Sequence, residues 1–353
     1  MTRPARRPYR LDQTLRVLVA TDAWHPQVNG VVRSLEAVAR EAPSLGAELQ
    51  FLTPAGFRSI PMPTYPEIRL SLTTPAAIAS RIEAAAPDHI HIATEGPLGM
   101  LARRYCLSHG LPFTTSYHTK FPEYLSARLP VPESLSYALL RRFHNAASGI
   151  MVSTPSLEAD LRARGFLNLM RWSRGVDTSL FTPLRPPVLD LPRPVSLYVG
   201  RVSVEKNIEA FLALDLPGSK VVVGEGPARA ALEARFPAVH FLGLCEGAAL
   251  ADVYASADVF VFPSLTDTFG IVLLEALASG LPIAAYPVTG PLDVVGNAPV
   301  GVLDANLGKA VRGALTLSSE ACRAEALRYG WRESAAEFIG NIRATMVPAA
   351  VAS

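Results

Sequence analysis

The feature that most limits how this chain can fold is its alternation of short apolar runs with helix-compatible stretches. In the first half, LRVLVA at 15–20, LQFL at 49–52, HIHIA at 89–93, FTTSY at 113–117 and GIMVS at 149–153 are separated by segments that predict helices from about Val31, Ala76, Leu98 and Glu133. Strands spaced by helices cannot pair through tight hairpins, so the pattern predicts βαβ units and a parallel sheet. The Pro-rich stretch TPLRPPVLDLPRP at 182–194 then interrupts the pattern. Proline has no N–H to give a helix or a central strand, so this segment reads as a linker. The alternation resumes with VSLYVG at 195–200, KVVVG at 220–224, VHFLG at 239–243, DVFVFPS at 258–264 and LPIAA at 281–285. The expected class is α/β with two doubly wound domains, over 1–181 and 195–330. The segment 331–353 carries apolar or small residues at helical spacing from Trp331 to about Thr345. It is expected to close the chain as a helix, for which a return to the first domain is one way to dock.

Composition narrows the class. A chain of 353 residues with 49% hydrophobic and 18% charged residues supplies two substantial cores and excludes disorder. The basic start MTRPARRPYR runs into Leu11, Asp12 and Gln13 rather than an apolar run, and no stretch of about 18 apolar residues follows, so neither a secretory signal nor a membrane span is expected. That reading gives a cytoplasmic location. Cys106, Cys245 and Cys322 are far apart and outside any C-x-x-C spacing, which argues against a disulfide framework or a zinc site and makes them core residues. Residues 1–180 carry 20 Lys and Arg against 14 Asp and Glu, a net +6, while the remainder carries 13 against 17, a net −4. The basic half is the candidate for meeting an anionic surface, a membrane patch and an ordinary solvated face both being open. Its arginines are dispersed, without aromatic interleaving or helical clustering, and nucleic acid is not an expected partner.

In doubly wound sheets ligands bind outside the carboxyl ends of the strands, so the informative residues follow each apolar run. After LRVLVA, Asn29 and Gly30 precede a helix, where bare backbone N–H groups and the positive helix end can approach a diphosphate; an ordinary Asn-Gly turn is the alternative. After LYVG comes Arg201, with Lys206 five residues on in GRVSVEKN. One strand-to-helix loop thereby offers a planar fork and a point charge, which suits the two phosphates of a nucleotide diphosphate. Only 4 of the 33 basic residues are lysines, so Lys206 is not the residue this chain supplies by default. After DVFVFPS comes LTDTFGIVLLEALASG, with Asp267 and Glu275 eight positions apart and Phe269, Gly270 and Ile271 at the expected helix start. By helical rise Glu275 is expected about two turns along that helix, roughly 8 Å from its start, a span that suits a sugar at one end and a ribose at the other. An N-cap role explains Asp267 equally well but leaves a Glu inside the apolar run IVLLEALA unaccounted for. His118 follows the strand at 113–117 and precedes Thr119 and Lys120, which favours a site role over a structural one. Gly224 and Gly226 in VVVGEGP lack the third glycine of a dinucleotide fingerprint, so NAD is not expected.

The strings GRVSVEKN, VVVGEGP, FLG, FPSLTDTFGIVLLEALASG and RGVDTSLFTP resemble those of the retaining glycosyltransferase family 4, of the GT-B fold, over essentially the whole chain. The resemblance implies two Rossmann-like domains facing across a cleft. It implies that Arg201 and Lys206 hold the donor diphosphate, Asp267 meets the donor sugar, Glu275 binds the ribose hydroxyls, Gly224 and Gly226 line the nucleotide pocket, and His118 faces the donor sugar. One departure stands out: the family usually has Glu where this chain has the shorter Asp267.

By the same resemblance the reaction retains the anomeric configuration, with the acceptor hydroxyl attacking the face that the diphosphate leaves. No D-x-D pair offers a metal site, and Arg201, Lys206 and the helix starts at Gly30 and Gly270 are expected to fill that electrostatic role, so no metal or other cofactor is expected. The strings TDAWHPQVNGVVRSLE, IPMPTYPEIRLSL and TSYHTKFPEYL resemble a branch that includes glycolipid (diacylglycerol) glycosyltransferases and GDP-mannose-dependent mannosyltransferases. The loop at 54–75, with Phe57, Ile60, Met62 and Tyr65 among Pro61, Pro63 and Pro66, is apolar enough to receive a lipid; an irregular lid is the alternative. The expected reaction moves a hexose or hexuronate from UDP-glucose, UDP-galactose or UDP-glucuronate to a diacylglycerol-type lipid at the inner face of the cytoplasmic membrane. GDP-mannose-dependent mannosyl transfer to a lipid or glycan is the alternative. A sugar-nucleotide 2-epimerase and a non-catalytic nucleotide-sugar-binding protein rank below both.

Overall fold

Two sets of six parallel strands organise the chain. The computed structural model describes residues 13–27, 29–62, 65–126 and 132–346. Two units are present, one comprising Met1–Pro122, Val131–Ser173 and Trp331–Ser353 and the other Glu123–Pro130 and Arg174–Gly330.

In chain order the elements up to residue 171 are β1 (Leu15–Ala20), α1 (Gly30–Glu41), β2 (Ala47–Leu52), β3 (Arg58–Met62), β4 (Tyr65–Leu72), α2 (Pro75–Ala85), β5 (His89–Ile92), α3 (Pro97–His109), β6 (Phe113–Tyr117), α4 (Phe121–Ser126), α5 (Glu133–His144), β7 (Gly149–Val152), α6 (Pro155–Ala163) and β8 (Leu169–Arg171). The sheet of the first unit runs β2-β1-β5-β6-β7-β8, every pair parallel. Both faces of β1 are buried: Leu15, Val17 and Val19 enter one cluster, Leu18 and Ala20 the other. A fully covered parallel strand reads as a continuous apolar run for this reason.

The second unit continues with β9 (Val195–Val199), α7 (Ile208–Leu212), β10 (Ser219–Val223), α8 (Arg229–Arg235), β11 (His240–Gly243), α9 (Gly247–Ala255), β12 (Val259–Phe262), α10 (Ile271–Ala278), β13 (Ile283–Ala285), α11 (Pro291–Val295), β14 (Gly301–Leu303), α12 (Leu307–Ala314) and α13 (Ser319–Ala326). Its sheet order, β11-β10-β9-β12-β13-β14, is the doubly wound arrangement in which chain direction across the sheet reverses between β9 and β12. The corresponding switch in the first unit lies between β1 and β5. The last helix, α14 (Trp331–Thr345), belongs to the first unit, where Ala335, Phe338, Ile339 and Ile342 pack with Leu35 and Val38 of α1. Trp172 donates from Nε1 to Ser334 Oγ at 3.2 Å, and Asn341 donates to the Arg171 carbonyl at 2.6 Å.

Three expectations change. The stretch 54–75 is not a loop: β3 and β4 form an antiparallel hairpin apart from the main sheet, with Ile60 opposite Leu70. Pro61 is accommodated because a two-stranded ribbon has only edge strands, which tolerate a missing N–H. Ile60 is exposed, and Phe57 packs under the Arg81 guanidinium at 5.1 Å; Pro63 lies outside the described residues, as do the side chains of Met62, Tyr65 and Pro66. The Pro-rich segment 182–194, read as a linker, is bound along the second unit. Arg185 pairs with Asp252 at 2.5 Å, Val188 N–H donates to Ser256 Oγ at 2.7 Å and Arg193 pairs with Asp258 at 2.6 Å. Side-chain ion pairs do the anchoring where the prolines offer no N–H. The cysteines divide: Cys106 and Cys322 are buried, burial pushing both thiols up to about 12, whereas Cys245 is only half-buried.

Beneath the first sheet lies a polar chain that strand burial makes costly unless satisfied. His89 Nε2 and His91 Nδ1 both meet Thr114 Oγ1, at 3.0 and 2.9 Å, and His91 Nε2 meets Ser116 Oγ at 2.9 Å. Burial lowers the His89 pKa to about 4, and burial with the neighbouring His89 holds His91 well below its ordinary value. Both rings are therefore neutral in the folded state. Below the ordinary histidine value of 6.5 the unfolded chain takes up protons that the folded chain refuses, so their share of stability is present above that pH and declines as pH falls toward about 4. For His89 alone this loss is about 3 kcal/mol across the window. Thermal melts should fall steeply between pH 7 and pH 5, and replacing both histidines with Gln should flatten that slope; an unchanged slope would rule out this origin.

Candidate active site

The loops at the carboxyl ends of β9 and β12 meet at the switch point of the second unit. The β9 loop is fixed by backbone contacts. Gly200 N–H donates to the Val223 carbonyl at 3.0 Å, Val202 N–H to Glu225 at 2.9 Å and Ala228 N–H to Val202 at 3.1 Å. A Cβ at Gly224, where φ is 135°, would sit 1.9 Å from the Gly200 carbonyl oxygen, and one at Gly226 would sit 2.3 Å from that of Val202. These two glycines hence serve a backbone-on-backbone contact that places Arg201, whose carbonyl accepts from Tyr198 Oη at 2.8 Å.

Beyond Arg201 a short 3-10 turn, Val204–Lys206, ends at Asn207 in the left-handed region with φ 52°. Asn207 donates from Nδ2 to the Pro263 carbonyl at 3.1 Å, tying this loop to the one after β12. Across the same gap Lys206 Nζ meets Asp267 Oδ1 at 2.5 Å, the two side chains being 20% and 17% exposed. A pair this sheltered from water is screened less than a surface pair. Ser264 Oγ, Thr266 Oγ1 and Asp267 Oδ2 are buried and have no hydrogen-bond partner among the described residues. Three such atoms in four residues, beside a cation, are the mark of a site built to meet polar atoms of a ligand. Ser264 and Thr266 were not singled out from the sequence, since small hydroxyl residues in a loop carry no signal of their own.

Next to them α10 begins after Gly270, which sits at φ 83° and caps without a side chain. The first N–H groups of α10 thus face the loop with no side-chain cap, and the helix dipole adds partial positive charge there. Phe269 is buried in the core, so it offers the loop backbone rather than ring. Because α10 starts at Ile271, Glu275 lies one turn along it, about 6 Å from that residue by helical rise, rather than two. The non-helical Gly270 accounts for the shorter span. Glu275 is 3% exposed among Leu273, Leu274, Ala276 and Leu277, and its Oε2 accepts from Tyr254 Oη at 3.1 Å.

The first unit has polar strand-end loops of its own. Asn29 is the N-cap of α1, and its Oδ1 accepts from Val31 and Val32 N–H at 3.0 and 3.1 Å. Two N–H groups expected to be open to phosphate are thus already satisfied, because Asn caps its own helix; Gly30 remains exposed at the helix start. His118 follows β6 half-buried, its ring edge-on to Trp172 at 5.7 Å. Unforeseen from the sequence is Asp22, 6% exposed after β1, whose carboxylate accepts from Leu98 N–H at 3.0 Å and Gly99 N–H at 3.3 Å and so caps α3 from another loop. Burial raises its pKa, and the bonds from Leu98, Gly99 and Thr94 oppose that. Likewise the fully buried His144 reaches Thr115 Oγ1 and Glu95 Oε1, each at 2.9 Å.

Two Rossmann-like parallel sheets, one carrying a cation, a carboxylate and an open helix start at its switch point, are the arrangement of a nucleotide-binding α/β protein, and its class is glycosyltransferase of the GT-B fold by comparison. Comparison with known proteins agrees with this class. A model described as Glycosyltransferase Family 4 matches residues 28–180, and one described as Glycosyl transferases group 1 matches residues 193–316. The chain is 30% identical over 315 residues to the GDP-mannose-dependent alpha-mannosyltransferase of Mycobacterium tuberculosis, covering 82% of this chain and 83% of that protein. It is 35% identical over 263 residues to a sulfoquinovosyl transferase of Arabidopsis thaliana, covering 68% of this chain and half of the plant protein's length. Sucrose-phosphate synthase of Thermosynechococcus elongatus shares the fold with a TM-score of 0.76 at 22% identity, over 94% of this chain and 98% of that one. The chain belongs to glycosyltransferase family 4.

The glycine contacts yield a structural prediction. Gly224→Ala forces a methyl into the Gly200 carbonyl at a positive φ, and should cost at least about 3 kcal/mol. A chemical melt of the variant checks this, and stability within experimental error of the parent would refute the backbone-contact account.

Proposed function

We propose that this chain is a retaining, metal-independent glycosyltransferase that moves a hexose or hexuronate from UDP-glucose, UDP-galactose or UDP-glucuronate to a diacylglycerol-type lipid. The observation that carries the transferase reading is the Lys206–Asp267 pair, with Asp267 Oδ2, Ser264 Oγ and Thr266 Oγ1 buried and without hydrogen-bond partners among the described residues, beside the open start of α10. A diphosphate leaving group needs positive charge where its own charge develops, and Lys206, Arg201 and the α10 N–H groups supply it from fixed positions. In the proposed step the bond from the anomeric carbon to the diphosphate oxygen breaks, its electron pair leaving with the diphosphate. The acceptor oxygen bonds to the same face, and its proton passes to the departing phosphate. Glu275 accepts from the ribose hydroxyls and Asp267 from the sugar.

Support for a lipid acceptor comes from surface chemistry. Ile60 and Leu72 are exposed on the hairpin, and Leu135 and Leu139 are exposed one turn apart on α5, followed by Arg142. Apolar side chains interleaved with arginine suit an anionic bilayer, and residues 1–180 carry the net positive charge. No helix among the described residues is long and apolar enough to cross a membrane, so association at the inner face would be peripheral. A second reading, mannosyl transfer from GDP-mannose, is favoured by the fuller coverage of the mannosyltransferase, 83% of its length against half of the sulfoquinovosyl transferase.

Incubation with each of UDP-glucose, UDP-galactose, UDP-glucuronate and GDP-mannose and diacylglycerol liposomes, followed by mass spectrometry of extracted lipid, tests both readings. A glycosyl-diacylglycerol from a UDP-sugar is expected, with a rate indifferent to EDTA. A product from GDP-mannose alone selects the second reading, and nucleotide diphosphate release without lipid product removes the lipid acceptor. Arg201→Ala and Lys206→Ala should each lower kcat by about 10²-fold to 10³-fold; an effect confined to KM would show that they bind ground state and transition state equally and do not speed the chemical step.

A further inference from the structure

We infer that Tyr254 is a positioning residue for the nucleotide ribose, holding the Glu275 carboxylate in the orientation that accepts from the ribose hydroxyls. The inference rests on the proposed ribose role of Glu275 and adds to it the group that aims that carboxylate.

Glu275 stands alone as a charged residue in α10, whose sequence is otherwise IVLLALA around it, and only 3% of it is exposed. A carboxylate taken so far from water needs donors, and its direction is set by whichever donors it finds. Tyr254, on the neighbouring α9, is fully buried, and its hydroxyl lies 3.1 Å from Glu275 Oε2. The hydroxyl also lies 3.4 Å from the Val272 carbonyl, but it has one hydrogen, and that carbonyl can be met by the helix ladder through Ala276 N–H. The carboxylate is the shorter and more polar acceptor, so the hydrogen goes there.

The ring itself cannot swing to follow a moving carboxylate. Phe181 meets it edge-on at 5.6 Å and Phe260 lies against it at 5.8 Å, both buried in the same core cluster. Phenylalanine would fill this apolar packing equally well, so packing does not explain the hydroxyl. What the hydroxyl adds is a rigid donor to the one charge in α10. A carboxylate with one oxygen pinned presents a fixed set of lone pairs to a diol, whereas an unpinned one pays rotamer entropy on binding.

The test measures binding by calorimetry for parent, Tyr254→Phe and Glu275→Gln, using UDP and GDP and their 2′,3′-dideoxy forms. The parent should prefer a ribose form by about tenfold or more. Tyr254→Phe should cut that preference to about threefold or less while leaving the dideoxy affinity near that of the parent, and should lower the melting temperature because the buried carboxylate loses a donor. A role confined to packing would leave the melt and both affinities at the parent's values, because Phe fills the same space, and that result overturns the inference. If Glu275→Gln abolishes the preference and Tyr254→Phe retains it, the positioning role is overturned while the ribose role of Glu275 stands. If Glu275→Gln retains it, the ribose role fails and the inference fails with it; if neither diphosphate binds the parent, the donor reading itself is overturned. Because Tyr254→Phe melts earlier, binding is compared at a temperature at which it and the parent are both folded, and a ribose preference there equal to the parent's overturns the inference.

Discussion

A parallel sheet covered on both faces leaves polar side chains few places to gather. Val195, Leu197 and Val199 on one face of β9 and Tyr198 on the other are all buried, as are Val221 and Val223 against Val222 in β10. Helices cover both faces, so charge can collect without desolvation only at strand ends, and at the switch point two loops diverge to leave room. Everything that looks chemical in the second unit follows from that constraint. Arg201 and Lys206 come from the loop after β9, Asp267 and the start of α10 from the loop after β12, and the Asn207 bond to Pro263 holds the two loops in register.

Each polar group inside the units is admitted on stated terms. Asp22 is buried because helix α3 lacks a side-chain cap of its own: Gly96 at its N-cap offers none, and a Cβ there would lie 2.4 Å from Asp22 Cγ. The carboxylate thereby serves as a cap imported from the β1 loop, with burial and backbone bonds acting oppositely on its protonation. His89 and His91 are admitted by shedding their charge, and Glu275 by the Tyr254 hydroxyl. Lys206 and Asp267 are admitted as a close ion pair at a partly open position.

The central strands were legible because a strand buried on both faces must be apolar throughout, as VFVF at 259–262 is and HIHI at 89–92 is but for its two histidines. Their order followed from the same grammar. The short edge elements were not: β8 and β14 have three residues each, too few for any period, and the hairpin of β3 and β4 hides behind prolines that elsewhere end strands. Arg201, Lys206, Asp267 and Glu275 stood out through charge in unexpected company, a Lys in an Arg-rich chain and a Glu in an apolar helix. Their partners did not, because Tyr254 lies 21 residues before Glu275 and Asp22 lies 76 before the N–H it caps, and nothing local in either stretch marks the pairing. Asn29 was legible as a helix start, but whether its own side chain or a ligand takes the first N–H groups is decided by one rotamer.

The shorter carboxylate at 267 acquires its meaning from Lys206. With Oδ1 at 2.5 Å from Nζ and Oδ2 buried without a partner, Asp267 lies tight against the cation. Were a donor phosphate to reach Lys206, it would compete with Asp267 for the same three ammonium hydrogens, and two anions sharing one cation repel. A longer Glu has an extra torsion through which to turn its carboxylate away while keeping its backbone position. Asp267 has less freedom, so relief must come from protons on the ligand: sugar hydroxyls that donate to Oδ2 would disperse the carboxylate's charge as the phosphate arrives. The same short pair that weakens the site for a bare phosphate would therefore favour a ligand that carries hydroxyl donors beside its phosphate.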